Sequence, residues 1–321
     1  MPKTSTAGHA GPPYRFLTVV PADAALGARV TGIDLRELDA SKADELRRAL
    51  LEHLVVVVPE QDLSDDDLVR IARRFGDLAL APAPSERSSH QSHAGPPEIT
   101  VVSNVKENGQ PVGELGDGEV VWHSDYSFKE VPAGARMLYG IEIPPRGEGA
   151  NTVFINCYAS YDTLAPEKKR ALVGKTIKQD TTLDTNLNLR LGARPVDDIR
   201  LGAGPSHPIV STHPETGSNS LFLGRRPKAY VNGLEPAASE ALLDELWEHM
   251  TQPSLQYEHE WSKGDLVIWD NRCTLHRRSA FNPTTRRLMH AAQIVGHRPF
   301  EAPDALRRPP HPRFGQYRGR P

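Results

Sequence analysis

Two kinds of hydrophobic pattern, separated by polar turns, organise the first third of the chain. Apolar positions with helical spacing follow Ser41 and Ser64, and each of these serines opens an S-x-x-D capping box that predicts a helix start. Between the two predicted helices, the uninterrupted apolar run at 54–58 predicts a short, fully buried strand. From residue 76 to residue 122 the pattern is that of loops, with one strand near 99–105.

Beyond residue 122, short β patterns dominate, and turns rich in Gly and Pro separate them. Helical patterns interrupt them at about 158–173 and 236–250. The predicted strands lie at 135–143, 152–155, 175–180, 208–212, 220–223, 254–260, 265–270 and 286–295. Many short strands with few βαβ alternations favour a mainly β protein with flanking helices (α+β), built as an antiparallel sandwich or jelly roll and not as a doubly wound sheet.

Three segments stand outside this pattern. Residues 1–14 are rich in Gly, Pro, Ser and Thr and are predicted to form a flexible arm, and residues 301–321 form a tail rich in Pro and Arg. A single domain over 15–300 is expected between them. Within it, residues 181–206 have weak periodicity and much Asn, Asp, Gly and Arg. A loop of that length in a compact domain is usually a functional lid or disordered.

The composition of the chain argues against several classes of binding partner. The net charge of −3 gives no reason to expect a nucleic acid or an acidic membrane surface. Two cysteines are too few for a disulfide framework. No apolar run approaches the roughly 18 residues that span a bilayer, and the N-terminus lacks the apolar core of a secretory signal. The expected protein is cytoplasmic, without a membrane or nucleic-acid partner.

One short motif has the spacing of a metal site. His123 and Asp125 are two positions apart, so on an extended strand both side chains point to the same face. A distant second histidine would complete a two-His-one-carboxylate set, which leaves the other face of an octahedral Fe(II) open. The motif alone is weak evidence for a metal site, because with 13 histidines in the chain a third ligand could be found for almost any hypothesis. His276 gains weight from its context, since it follows a strong strand in the sequence WDNRCTLH.

Several motifs in a fixed order then resemble one family. The chain is similar over roughly residues 16–300 to the taurine dioxygenase and 2,4-dichlorophenoxyacetate dioxygenase family of iron- and 2-oxoglutarate-dependent enzymes. The motifs that carry the resemblance are FLTVVPADAALGARVTGIDL, FGDL, WHSD, GEGANTVF, HPIVSTHPETG, GDLVIWDNRCTLH and RRLMH.

The resemblance implies a double-stranded β-helix (jelly roll) core and assigns roles to particular residues. His123, Asp125 and His276 match the iron ligands, and Arg287 and Thr152 match the residues that bind the distal carboxylate of 2-oxoglutarate. The planar fork of an arginine suits a carboxylate. The family usually has Asp before that threonine, where this chain has Asn151.

The expected reaction follows from the same resemblance. A small organic molecule is oxidised, most simply by hydroxylation, with Fe(II) as metal, 2-oxoglutarate and O2 consumed, and succinate and CO2 released. A homodimer or homotetramer is expected.

Three alternatives remain open at this point. A cupin-like hydrolase or lyase would use the metal without redox chemistry, but it would need no 2-oxoglutarate clamp at Arg287 and Thr152. A non-catalytic binding protein would be expected to lose one ligand, and here the set is complete. A biosynthetic oxygenase that desaturates or cyclises its substrate would use the same site. A halogenase is disfavoured, because Asp125 fills the position that halogenases leave small.

The sequence is least informative about the substrate. The 181–206 segment lies where related enzymes cover the site, so Asn186, Asn188, Arg190 or Arg194 is expected to touch substrate. Taurine dioxygenase has a sulfonate-binding arginine four positions beyond its 2-oxoglutarate arginine, and this position is Ala291 here. The chain is therefore not expected to be a taurine dioxygenase.

Overall fold

A computed structural model describes residues 13–81 and 95–312 and shows a mainly β protein with a few helices. The strands are β1 (Thr18–Pro21), β2 (Ala28–Thr31), β3 (Val55–Val58), β4 (Ile99–Ser103), β5 (Lys106–Glu107), β6 (Gln110–Pro111), β7 (Glu114–Leu115), β8 (Val120–His123), β9 (Ala133–Glu142), β10 (Thr152–Asn156), β11 (Thr176–Lys178), β12 (Ser206–Pro208), β13 (Val210–Thr212), β14 (Asn219–Leu221), β15 (Tyr230–Val231), β16 (Gln256–His259), β17 (Leu266–Asp270), β18 (Thr274–Arg278) and β19 (Leu288–Val295). The α-helices are α1 (Ala40–His53), α2 (Asp65–Ala72), α3 (Cys157–Asp162), α4 (Pro166–Leu172) and α5 (Pro236–Met250).

Two sheets form the centre of the molecule. The larger has the order β1-β2-β3-β17-β9-β19-β4-β7, and the smaller has the order β16-β10-β18-β8. All neighbours in the smaller sheet are antiparallel, as are those of the larger sheet apart from β2–β3 and β4–β7. The long strand β9 therefore lies in the middle of the larger sheet, between β17 and β19.

Side chains alternate between the two faces of the larger sheet, as the period of a strand requires. On the outer face, Met137 and Ile268 pack against α1 and α2 in one hydrophobic core. On the inner face, Leu138 and Trp269 share a second core with Phe154 of the smaller sheet. The smaller sheet thus covers the inner face, and the site described below lies between the two.

Local chemistry explains where the first helices begin. The capping box predicted at Ser64 is confirmed, because the Ser64 hydroxyl accepts from Asp67 N and the Asp67 carboxylate accepts from Ser64 N. The start predicted at Ser41 is wrong by one residue, since α1 begins at Ala40 and the cap is Asp39, whose carboxylate accepts from Lys42 N at 2.9 Å. A carboxylate caps as well as a hydroxyl does.

The helix predicted over 158–173 is two helices. α3 ends at Asp162, and α4 begins at Pro166 in the first helical position. The residue before a proline is disfavoured in helical geometry, so Ala165 separates the two. A third hydrophobic core joins α5 to β11, β13 and β14 on this side of the molecule.

Both ends of the described chain contact the domain. The Tyr14 hydroxyl donates to Glu52 at 2.6 Å, whereas residues 1–12 of the predicted arm lie outside the described residues. In the predicted tail, Ala305 is part of the third core and His311 stacks on Tyr158 at 4.9 Å between ring centroids. Residues 313–321 lie outside the described residues. In the parts of the chain that the structure describes, no helix has both the length and the apolar character that crossing a bilayer requires.

Candidate active site

The two strands that carry the predicted histidines are neighbours in the smaller sheet. His123 ends β8 and lies directly opposite His276 of β18, with 4.1 Å between ring centroids. Asp125 follows in the turn after β8 and not on the strand itself. Its Oδ1 lies 3.5 Å from His123 Nε2, and its Oδ2 lies 3.7 Å from His276 Nε2. The structure thus brings together the three side chains that the sequence singled out.

Hydrogen bonds to neighbouring groups fix the orientation of two of these side chains. His123 Nδ1 lies 2.8 Å from Val121 O, so Nδ1 donates to this carbonyl and Nε2 keeps its lone pair. Asn271 accepts from Asp125 N at 2.8 Å and donates to Asp125 O at 3.0 Å and to Ala133 O at 2.9 Å. One amide side chain therefore holds the peptide groups on both sides of the Asp125 α-carbon.

The donor set fits a divalent metal ion. One ligand atom from each of His123, Asp125 and His276 lies within 4.8 Å of the others, and all three residues are buried. Burial raises the pKa of Asp125, but Arg136 and the two histidines outweigh it and hold this pKa well below its usual range. Burial and the neighbouring His123 lower the pKa of His276. A carboxylate beside two imidazoles suits a divalent transition metal, and Asp125 Oδ2 has no hydrogen-bond partner among the described residues.

A cavity with one strongly cationic wall adjoins this centre. Its apolar lining comes from both sheets and consists of Val102, Leu115, Val120, Leu138 and Trp269. Three arginines, Arg136, Arg278 and Arg287, line the same cavity.

Arg287 is the most deeply buried of the three, at 2% exposure. Within the described residues, its Nε and Nη1 make no hydrogen bond. Burial, followed by repulsion from Arg278, lowers the pKa of Arg287 well below its usual value. A buried guanidinium with unused donors is costly unless an anion binds there.

Thr152 shares this cavity with Arg287. It begins β10 directly opposite Arg278. Its hydroxyl oxygen accepts a hydrogen bond from Trp261 Nε1 at 2.9 Å, which leaves the hydroxyl proton to be donated elsewhere. The neighbouring Asn151 points elsewhere, because its amide donates to Glu258 at 2.7 Å.

The 181–206 loop runs beside the strand that carries His123. Thr185 O accepts from Val121 N at 3.1 Å, and Arg225 binds both Leu183 O and the Asp180 carboxylate. The loop is therefore anchored to the edge of the site through its own backbone.

The four loop residues singled out in the sequence differ in exposure. Asn186 donates to Glu119 O at 2.8 Å, and Asn188 is exposed at the loop tip. Arg190 is buried, with its guanidinium 4.0 Å from the Phe128 ring, whereas Arg194 is exposed. The cavity wall described above includes none of the four.

Ala291 is on the inner face of the larger sheet. It lies directly opposite Leu138 and is 2% exposed, in the core shared with Met289 and Val102. Its neighbours in that core are apolar.

Sequence reasoning missed Arg136. It lies on β9, and its Nη1 donates to Asp125 Oδ1 at 2.7 Å. The available signal was an arginine inside an otherwise apolar strand pattern, ARMLYGIEI. A charge in the middle of a buried strand requires a partner.

Comparisons with known proteins agree with this geometry. The family model described as Taurine catabolism dioxygenase TauD, TfdA family matches residues 18–293. The chain is 33% identical to the (S)-phenoxypropionate/alpha-ketoglutarate-dioxygenase of Sphingobium herbicidovorans, with 87% of this chain and 94% of the relative covered. It is 34% identical to pentalenolactone F synthase of Streptomyces arenae, with 84% and 89% covered.

A solved structure is similar at the level of the fold. The crystal structure of AAD-2 in complex with Mn(II) and N-oxalylglycine superposes with a TM-score of 0.70 at 28% identity, covering 88% of this chain and 98% of that one. These matches decide against a redox-inactive hydrolase and against a non-catalytic binding protein. The chain belongs to the TauD/TfdA family and is a dioxygenase that depends on Fe(II), 2-oxoglutarate and O2.

Proposed function

We propose that His123, Asp125 and His276 hold the Fe(II) and that Arg287 and Thr152 bind the distal carboxylate of 2-oxoglutarate. The observation that supports this most directly is that His123 and His276, whose ligand atoms converge with that of Asp125, line one cavity together with the buried Arg287. Within the described residues, Nε and Nη1 of Arg287 make no hydrogen bond. An anion that reaches Arg287 would satisfy its unused donors, and the Thr152 hydroxyl would add one more bond.

When bound, iron and 2-oxoglutarate supply the oxidising chemistry, in which O2 is consumed and succinate and CO2 are released. The chain contributes positioning and exclusion of water. Asn271 holds the Asp125 backbone, and Val121 O fixes the His123 tautomer. Leu138 and Trp269 keep the cavity wall apolar, which strengthens the electrostatic contacts inside it.

The proposed substrate is a small organic molecule with an apolar body, and the proposed outcome is hydroxylation. The apolar lining supports this, as do relatives named for phenoxypropionate and for pentalenolactone F. Taurine is not proposed, because the buried Ala291 offers no cation where a sulfonate would need one.

Three finer assignments belong to the same proposal. The facing sheets support a double-stranded β-helix core. The resemblance to the family supports a homodimer or homotetramer in the cytoplasm. The position of residues 181–206 along the His123 strand supports a lid, with the exposed Asn188 and Arg194 as the residues that would turn towards substrate.

An anaerobic titration tests the site. Fe(II) followed by 2-oxoglutarate should produce the weak visible charge-transfer band of the chelate in the wild-type protein, and the band should be lost in His276→Ala. Arg286→Met is the matched control, because Arg286 is exposed and paired with Glu142 at 2.7 Å. A wild-type protein that binds Fe(II) but gives no band would contradict the assignment.

A further inference from the structure

Three neighbouring strands of the larger sheet place three polar side chains in one row. Trp269 of β17 and Gln293 of β19 each lie directly opposite Arg136 of the strand between them. Directly opposite residues share a sheet face. Because Leu138, two residues beyond Arg136, is part of the inner core, this row faces inwards towards the smaller sheet.

Each member of the row has an unused hydrogen-bond donor. Trp269 Nε1, Arg136 Nε and Gln293 Nε2 are buried and make no hydrogen bond to any part of the chain that the structure describes. Native proteins satisfy nearly all buried donors, because an unpaired one loses its hydration without compensation. Three adjacent exceptions on one face indicate a ligand that accepts hydrogen bonds.

The row lies against the metal centre. Arg136 Nη1 donates to Asp125 Oδ1 at 2.7 Å, and the Trp269 ring lies 4.8 Å from the His276 ring between centroids. The Arg136 side chain is 14% exposed, and both Arg136 and Trp269 line the cavity. A guanidinium has five donors in a planar fork, so Arg136 can bind Asp125 through Nη1 and a second anion through its Nε edge.

The charge of the cavity favours that second anion. Three arginines line it. The Asp125 carboxylate offsets Arg136 and the charge of Asp117 acts on Arg278, which leaves the positive charge of Arg287 in excess. Fe(II) carries two positive charges and 2-oxoglutarate carries two negative ones, so binding both leaves the net charge of the cavity unchanged. Arg287 is proposed to bind the distal carboxylate of 2-oxoglutarate. The row that contains Arg136 is a second place in the cavity where a carboxylate would be stabilised.

We propose that Trp269, Arg136 and Gln293 form an oxyanion subsite that binds a carboxylate group beside the metal centre. The proposal rests on the proposed function of the metal ligands. The carboxylate has two sources, the metal-proximal carboxylate of 2-oxoglutarate or an acidic group of the substrate, and the experiment separates them.

Calorimetry on the Mn(II)-loaded protein tests the subsite without turnover. The first arm measures the dissociation constant of N-oxalylglycine. The second arm adds phenoxyacetate, or its uncharged amide, to the protein already loaded with Mn(II) and N-oxalylglycine. The variants are Arg136→Met and Gln293→Met, and the control is Arg286→Met, whose exposed guanidinium is paired with Glu142.

Each of the two variants should weaken the binding of one carboxylate by roughly tenfold, as expected for a charge-assisted hydrogen bond. Gln293→Met should do so with Mn(II) and amide affinity unchanged. A loss for N-oxalylglycine assigns the subsite to the cosubstrate, and a loss for phenoxyacetate assigns it to the substrate. Gln293→Met is decisive where Arg136→Met also disturbs Asp125, because Gln293 Nε2 makes no hydrogen bond in the described chain, whereas Arg136 binds Asp125 directly.

Two results overturn the proposal. One is unchanged N-oxalylglycine affinity in both variants together with no preference of the wild-type protein for phenoxyacetate over the amide. The other is a loss of carboxylate affinity only in proportion to a loss of Mn(II), which would make Arg136 a positioning residue for Asp125. A wild-type protein that does not bind N-oxalylglycine with Mn(II) would instead contradict the proposed function.

Discussion

Among the residues that the structure describes, two clusters have the composition of a metal site. One contains His123, Asp125 and His276, and the other contains His213, Asp270 and Cys273. In each, the ligand atoms lie within 4.8 Å of one another and all members are buried. Residue type, distance and burial therefore do not distinguish them.

The partners of the ligand atoms do distinguish them. Both oxygens of Asp270 accept from the Arg272 guanidinium, at 2.8 and 2.6 Å, and Oδ2 also accepts from His213 Nε2 at 3.1 Å. His213 Nδ1 accepts from the backbone N–H groups of Glu215 and Thr216. In the first cluster, Asp125 Oδ2 has no partner in the described chain. The second cluster is saturated by the protein itself, so its role is structural, whereas the first has a ligand atom to offer.

The largest expected effect is on metal binding. Asp125→Ala and His276→Ala should each abolish Mn(II) binding and succinate release, because a two-ligand site has poor affinity. Calorimetry and a coupled succinate assay measure the two losses, and circular dichroism checks that the fold remains. Near-wild-type succinate release in either variant would remove the assignment of the metal ligands.

The second cluster should respond in the opposite way. Asp270→Ala leaves the buried His213 without its carboxylate and leaves Arg272 with Glu215 alone, so we expect a loss of about 3 kcal/mol in the free energy of unfolding. The metal stoichiometry should stay at that of the wild-type protein. Glu142→Ala, which breaks the exposed pair with Arg286, should cost less than about 1 kcal/mol. Denaturant titration decides, and lost Mn(II) binding in a folded Asp270→Ala protein would undo the contrast between the clusters.

A smaller effect is expected at the far end of the cavity. Arg287→Met should raise the apparent KM for 2-oxoglutarate by roughly ten- to a hundredfold, since a charge-assisted bond contributes on the order of 1.5–3 kcal/mol. Arg286→Met is the adjacent control and should leave KM unchanged. Equal KM values in both variants would show that Arg287 does not bind the cosubstrate.

The candidate metal ligands could be singled out from sequence through the spacing of His123 and Asp125 and the ordered motifs around His276. The pairing of β18 with β8, which places His276 opposite His123, appears only in the fold. The role of Arg136 was not predictable. It depends on the ion pair with Asp125 and on Trp269 and Gln293, which lie directly opposite Arg136 on the two neighbouring strands. Nothing in the local pattern of β9 specifies those neighbours.

Asn271 shows the same limit. In the sequence it lies between β17 and β18, yet its side chain holds the turn after His123. The cap at Asp39 sets the start of α1, and Pro166 sets the start of α4. Each competes with weaker signals nearby in the sequence. Local chemistry predicts elements, whereas contacts between distant segments define the site.

The response to taurine should distinguish this cavity from that of a relative that binds a sulfonate. Ala291 is buried among apolar side chains, so a sulfonate placed there would lose its hydration without a partner. Micromolar taurine should therefore give no succinate above the substrate-free rate, and Ala291→Arg should increase the response if the geometry is right. Taurine-dependent succinate release by the wild-type enzyme would refute this prediction.

The smallest expected effect concerns the 181–206 loop, whose anchoring contrasts with its exposed tip. Arg225 and Asp180 fix its base in buried contacts, whereas Leu187 and Leu189 at the tip are 43% and 41% exposed. Segments with few buried contacts open most readily, so ligand-linked protection should be confined to the tip. Hydrogen exchange of the Mn(II)- and N-oxalylglycine-loaded protein, with and without a substrate found by succinate release, measures this. We expect slower exchange at 186–194 with substrate and unchanged exchange in β17, which is buried throughout. Equal exchange at 186–194 in both states would make the loop a plain surface segment, and the metal site would stand without it.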